Sequence, residues 1–228
     1  MSQTAVVARL AIRELWISFR LLVLLAAYVG TGAIVALLPA PPSTMFWRLA
    51  LGLAVANLVG AAVAADAIGT ERALGRAAWL VTRSISRSTL LVGWFLALAA
   101  VSLVGIGATA ILAWLAVASP LPPATMPGYV TVMAGVAATG LAAIALGLLL
   151  GVLMRPRPAT AAALVVAAAA MAAAVMVPPS AALPHDALAE LPSLDRPIGV
   201  GLRGAGIGLA ATAAGLAVAR AVLGRVDL

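Results

Sequence analysis

The feature that most constrains this chain is a series of long apolar stretches, which could not remain exposed to water. A helix needs about 20 mostly apolar residues to cross a bilayer, and six stretches of this kind occur. They are residues 21–38, 46–65, 91–118, 129–153, 159–177 and 198–219. Only 9% of the residues are charged, whereas a soluble domain has about a quarter. The sequence therefore predicts a single all-α membrane domain over residues 1–228, a polytopic protein with six transmembrane helices.

The arginines predict how these helices are oriented. All 14 basic residues are Arg. When the predicted spans alternate, eleven arginines fall on one side: Arg9, Arg13, Arg20, Arg72, Arg76, Arg83, Arg87, Arg155, Arg157, Arg220 and Arg225. The other side has three, Arg48, Arg196 and Arg203. Because cytoplasmic connections are enriched in basic residues, we expect both termini and residues 66–90 inside the cell, and residues 178–197 outside.

Residues 1–20 precede the first span and have an amphipathic pattern. On a helix, Arg9, Arg13 and Arg20 share one face, and the small or apolar residues Ala8, Ala11, Leu15 and Phe19 lie opposite. This pattern predicts a helix that lies in the cytoplasmic interface of the lipid membrane. The helix is either a topology anchor alone or an elbow that also contacts a cytoplasmic partner.

The residue types that the sequence lacks limit the reactions and ligands that the chain could support. Without Lys, the chain has no phosphate-binding GxxxxGK[ST] loop, so we expect no ATP hydrolysis by this chain and no enzymatic activity. With no Cys and one His, His185, we expect no metal site. The arginines flank apolar spans, so their charge predicts contact with anionic lipid and not with nucleic acid.

Charged residues are also missing from the middle of the third, fourth and fifth predicted spans. Ion-coupled carriers place a carboxylate near the midplane, so transport energy from another subunit is favoured over ion coupling. An intramembrane enzyme is disfavoured because no Ser/His or Asp/Asp pair falls on a shared face. In the external connection, we expect His185, Asp186 and Glu190 to lie in a solvated loop and not in a polar cluster.

Residues 66–90 form a connection of about 25 residues, whereas links between helices commonly have 2–8. Gly69 and Gly75 lower helix propensity, so we expect this segment to break into shorter helices. Where it is helical, its arginines share one face: Arg72, Arg76, Arg83 and Arg87. The segment is either a solvated connection or, as its length favours, a docking surface.

The same segment resembles the ABC type-2 transporter permeases. That family carries there an acidic residue, a Gly, a Leu-rich turn, a Ser-Arg pair and a Leu-x-Gly sequence. The matching residues are Glu71, Gly75, Leu80, Ser86-Arg87 and Leu91-Val92-Gly93. Residues 223–228, LGRVDL, are similar to the last residues of that family, which have a basic residue followed by Asp-Leu. The chain departs from the family at 82–85, which lacks a Pro, and at Trp94, where Lys is frequent.

The resemblance implies the permease subunit of an ATP-driven exporter in the cytoplasmic (inner) membrane of a bacterium. An identical or homologous permease subunit would pair with it, and its cargo would be amphipathic or apolar. A separate cytoplasmic ATP-binding subunit, which binds ATP and Mg²⁺, would dock on residues 66–90. The implied docking and coupling residues are Glu71, Gly75, Arg76, Arg83, Ser86 and Arg87. The alternative is a polytopic membrane scaffold or assembly factor that transports nothing.

Overall fold

A computed structural model describes residues 2–38, 40–75, 85–117, 125–175, 184–191 and 196–225, and within these ranges the regular elements are helices. They are α1 (Gln3–Ile17), α2 (Arg20–Leu37), α3 (Pro42–Ala73), α4 (Arg87–Val117), α5 (Thr125–Leu153), α6 (Pro156–Val175), α7 (Pro184–Ala189) and α8 (Pro197–Leu223). The predicted all-helical architecture is confirmed.

Five of the helices, α2, α3, α4, α5 and α8, are long and apolar enough to cross a membrane. These five helices are compatible with a multi-pass membrane protein. Helix α6, Pro156–Val175, overlaps the predicted span at 159–177. Six spans, and the side of the membrane that each connection faces, stay predictions.

The N-terminal helix is shorter than the predicted 1–20. It ends at Ile17, and Phe19 adopts the left-handed region with φ of 60° before α2 begins. The buried face of α1 consists of Val7, Ala11 and Leu15, and Val7 packs against Gly93 of α4. The assignment of Arg20 to the N-terminal helix was wrong: Arg20 begins α2, because the break at Phe19 separates it from the arginine face of α1.

Helix α3 is the centre of the fold and contacts α2, α4, α5, α6 and α7. Its closest neighbour is α5, whose Gly147 and Gly151 lie directly against the carbonyl groups of Ala61 and Ala65. A Cβ at either glycine would overlap those carbonyls, so the two backbones approach this closely only because side chains are missing. The other face of α5 packs along α8, where Gly208 lies against Ala138.

Helix α3 also continues beyond the predicted span 46–65, so the connection expected at 66–90 begins as helix up to Ala73. Gly69 does not interrupt the helix: it lies inside α3, where a Cβ would meet the backbone of Pro156 of α6 at 3.1 Å. The break at Gly75 was correct: its φ of +69° is the left-handed conformation that commonly follows a helix end.

Candidate functional site

Six helix ends gather at one end of the bundle. They are the starts of α2, α4 and α6 and the ends of α3, α5 and α8, and contacts between their side chains and backbones connect them. We call this the arginine-rich end, because Arg20, Arg72 and Arg87 lie there. The motif residues Glu71 and Gly75 at the end of α3, and Ser86 at the start of α4, lie at the same end.

Glu71 is 5% exposed on the last turn of α3. A carboxylate is costly to bury and stays buried only when other groups compensate its charge or hydrogen bonds; Glu71 does have interaction partners. Gly75 follows and ends the helix. Arg76 and Arg83, the other predicted docking residues of this segment, lie outside the described residues. The docking role of the whole segment stays a prediction.

Ser86 and Arg87 have defined contacts at the start of α4. The Ser86 hydroxyl accepts the backbone N–H of Thr89 at 3.0 Å, which is the hydrogen bond of a helix N-cap. The guanidinium of Arg87 donates to the carbonyl oxygens of Leu223 at 2.8 Å and Gly224 at 3.2 Å. Carbonyls in the last turn of a helix lack intrahelical donors, and through these two Arg87 ties the start of α4 to the end of α8.

Arg72 makes the equivalent contact on the other side of the segment, and it was not among the predicted docking residues. Its Nη1 donates to the carbonyl oxygen of Gly151 at 3.1 Å and also to that of Val152. Both carbonyls belong to the last turn of α5. An Arg one residue after the motif Glu was the available signal, but the acceptors are backbone atoms about 80 residues away, and sequence patterns do not mark such atoms.

The three arginines predicted for the interfacial helix separate into two environments. Arg9 and Arg13 are exposed on α1, as the prediction of a polar face requires. Arg20 instead forms an ion pair with Asp66 of α3, with 2.6 Å between Nη2 and Oδ2, and donates to the hydroxyl of Thr70 at 3.1 Å. Arg20 therefore connects the start of α2 to the same turns of α3 that precede Glu71.

A second polar group lies deep in the bundle and was not predicted. The Tyr28 hydroxyl donates to Oδ1 of Asn57 at 2.9 Å, and Nδ2 of Asn57 lies 3.1 Å from Nε2 of His185. Tyr28 and Asn57 are completely buried, and His185 is 6% exposed. We call these residues the buried polar trio; they join α2, α3 and α7. The prediction that His185 lies in a solvated loop was wrong, because α7 packs against α3, α5 and α8.

The hydrogen bonds of the trio limit the roles that the His185 ring nitrogens can have. Oδ1 of Asn57 accepts from Tyr28, so the amide nitrogen faces His185 and the carbonyl oxygen of Val136, 3.5 Å away. An amide nitrogen only donates, so Nε2 accepts in this orientation of the Asn57 amide, and the roles of the two ring nitrogens follow the tautomer. Burial lowers the pKa of His185 to about 4, so the ring is neutral at pH 7. Among the described residues, Nδ1 has no hydrogen-bond partner.

The sequence did contain a signal for the trio. Asn57 is the one Asn of the chain and His185 the one His, and an amide in the middle of an apolar span needs a partner. Asp186 is half-buried and Glu190 exposed, and within the described ranges no three metal-ligating side chains come together. No protein-family model matches the chain, and no curated protein matches it. The family resemblance therefore depends on the motif residues themselves.

Proposed function

We propose that this protein is the membrane-spanning permease subunit of an ATP-driven exporter of the ABC type-2 class, in the cytoplasmic membrane of a bacterium. A second permease subunit pairs with it, and a cytoplasmic ATPase subunit supplies the energy. The motif residues quoted from the sequence support this assignment. The sequence also lacks the Lys that ATP hydrolysis by a Walker loop requires, so the proposal assigns ATP hydrolysis to the partner.

One structural observation supports the coupling role most strongly. The segment between α3 and α4 is flanked by Arg72 and Arg87, and each of them holds the end of a helix that lies much later in the chain. Arg72 holds the end of α5, and Arg87 holds the end of α8. A subunit that docks on this segment and displaces it would therefore move α3, α4, α5 and α8 together. Such a concerted movement is required if ATP binding is to rearrange the membrane-spanning helices.

Helix α1 extends the same surface. It packs on α4 through Val7 and Gly93, and it presents Arg9 and Arg13 to the surroundings. In the proposed complex, α1 lies along the cytoplasmic face of the membrane beside the docked ATPase. Amphipathic or apolar cargo fits the apolar composition of the spans.

The experiment is reconstitution in proteoliposomes with a separate ATPase subunit as the candidate partner. We expect a stable complex whose ATPase activity is stimulated by the permease and whose cargo efflux requires ATP. Glu71→Ala should reduce ATP-driven efflux severalfold, while Glu190→Ala, at an exposed site on the far side of the bundle, should not. A stable complex without ATP-dependent transport would instead favour the scaffold, and efflux at the wild-type rate in Glu71→Ala would remove Glu71 from the coupling mechanism.

A further inference from the structure

A groove of about 610 Å³ lies between α2, α3 and α6. Helices α2 and α6 each pack on α3. The groove residues of α3 are half-buried, whereas Val23 of α2 and Leu164 of α6 are exposed, so α3 forms the floor and the groove opens outward. Its apolar lining consists of Val23, Val59, Ala62, Val63, Ala161 and Leu164.

The polar and apolar residues of the groove separate along its length. Asp66, Arg157 and Thr160 complete the lining, and they lie towards the arginine-rich end, where α3 ends and α6 begins. The apolar lining continues from Asp66 back to Val59 on α3 and from Arg157 to Leu164 on α6. Each of these stretches is about 10 Å long at 1.5 Å per residue. The groove therefore suits a molecule with a charged head at the arginine-rich end and a hydrocarbon tail.

The charge at the polar end of the groove is positive overall. Asp66 is neutralised by Arg20, whose Nε and Nη2 lie 2.9 and 2.6 Å from Oδ2 of the carboxylate. Arg157 is exposed, and within the part of the chain that the structure describes it forms no ion pair. Two arginines and one carboxylate leave one positive charge. A head group with a net negative charge is therefore attracted more strongly than a neutral or zwitterionic one.

The hydrogen-bonding atoms at this end restrict the head group further. The guanidinium of Arg157 offers donors that suit a phosphate. The Thr160 hydroxyl donates to the carbonyl oxygen of Pro156 at 2.9 Å, so its oxygen is left to accept a hydrogen bond. Oδ1 of Asp66 is also an acceptor, because Arg20 bonds to Oδ2. A head group that combines a phosphate with hydroxyl donors satisfies all three residues, whereas a choline head has no hydroxyl and satisfies only Arg157.

We propose that this groove binds one phosphatidylglycerol molecule of the bilayer. Arg157 binds the phosphate, the glycerol hydroxyls donate to Asp66 and Thr160, and an acyl chain lies along α3 towards Val59. Basic pockets between membrane helices bind anionic lipid head groups in the same way. With the arginine-rich end at the cytoplasmic face, as the arginine distribution predicts, the lipid belongs to the inner leaflet. The site does not depend on the proposed exporter function.

Native mass spectrometry of the full chain can test this proposal, because it counts bound lipids and reports the oligomeric state together. The protein is stripped of lipid in detergent and titrated with dioleoyl phosphatidylglycerol or with dioleoyl phosphatidylcholine, which has the same acyl chains. We expect one phosphatidylglycerol to bind about tenfold more tightly than phosphatidylcholine. Equal affinities would contradict the proposal. A dimer that binds no phosphatidylglycerol would assign the groove to a second copy of the chain and would also overturn it.

Two pairs of variants at exposed positions of the chain locate the lipid. Arg157→Gln should weaken phosphatidylglycerol about tenfold, the effect of one charge-assisted contact, and leave phosphatidylcholine unchanged. Arg155→Gln, at an exposed arginine outside the groove lining, should bind like the wild type. Ala161→Trp fills the groove and should weaken both lipids, whereas Ala168→Trp, further along α6 and outside the lining, should not. If Arg157→Gln binds phosphatidylglycerol as tightly as Arg155→Gln, or Ala161→Trp as tightly as Ala168→Trp, the proposal is wrong.

Discussion

The arginine-rich end and the buried polar trio connect helices by different means. At the arginine-rich end, charged side chains reach across to backbone carbonyls: Arg72 to the end of α5 and Arg87 to the end of α8. In the trio, three neutral side chains bond mainly to one another, and two of them are completely buried. Each region joins helices that are distant in sequence, but water has access to only one of them.

This difference determines how each region tolerates change. Near the surface, a helix carbonyl that loses its Arg can bond to water instead, so the net loss is small. In the trio, a side chain that loses its partner leaves an unsatisfied polar group in an apolar interior. The free energy of unfolding then falls by the full desolvation cost of that group. The following predictions test this contrast, from the largest expected effect to the smallest.

Asn57→Leu should have the largest effect. It removes the Asn57 partner of the Tyr28 hydroxyl and of Nε2 of His185, at about 1–3 kcal/mol for each group, so we expect a loss of about 2–6 kcal/mol. Thermal unfolding in detergent, followed by fluorescence-detected size exclusion, measures the change in Tm. Thr212→Val is the matched control, because the hydroxyl of buried Thr212 donates to the carbonyl oxygen of Gly208 in its own helix. Equal Tm values for the two variants would contradict a special role for the trio.

The stability of the trio should also depend on pH. The pKa of His185 is about 4 in the folded protein and about 6.5 when the chain is unfolded, so protons bind preferentially to the unfolded chain between these values. Stability is therefore complete above about pH 6.5 and falls as the pH is lowered towards 4, by about 2 kcal/mol at pH 5. His185→Gln keeps an acceptor for Asn57 and should remove this part of the pH dependence. An unchanged profile would show that His185 does not titrate as its burial requires.

Arg72→Ala should cost about 1–2 kcal/mol, the value of a charge-assisted hydrogen bond that water replaces in part. Arg9→Ala, at an exposed position on α1, is the control and should change Tm little. If Arg72→Ala destabilises the protein as much as Asn57→Leu, the proposed difference between the two regions disappears.

The Arg20–Asp66 ion pair should contribute least. The Asp66 side chain is 38% exposed, and exposed pairs contribute about 0–1 kcal/mol. A double-mutant cycle with Arg20→Gln and Asp66→Asn measures the coupling energy, which should fall further at high salt. A coupling above about 2 kcal/mol would place this pair in the same class as the buried trio.

Hydropathy and local chemistry predicted the regular features of this fold. Apolar length located the long apolar helices, because a bilayer requires about 20 apolar residues for each span, and Gly75 marked the end of α3 because a left-handed residue is common there. The features that the sequence did not predict depend on tertiary contacts. Gly69 lies inside α3 close to the backbone of Pro156, and the buried His185 lies against the amide of Asn57, 128 residues earlier. No local pattern contains either partner.

The left-handed backbone of Phe19 has a consequence for the way this protein enters its membrane. A bulky residue in that conformation costs about 1–3 kcal/mol, and with its side chain largely exposed, packing returns little of that cost. Ser18 and Phe19 complete the change of direction from α1 to α2. With α1 on the membrane surface, as its exposed arginines predict, the nascent chain turns into the bilayer at this one point. On the predicted topology, this elbow separates the part of the N-terminus that lies on the membrane surface from the part that enters the bilayer.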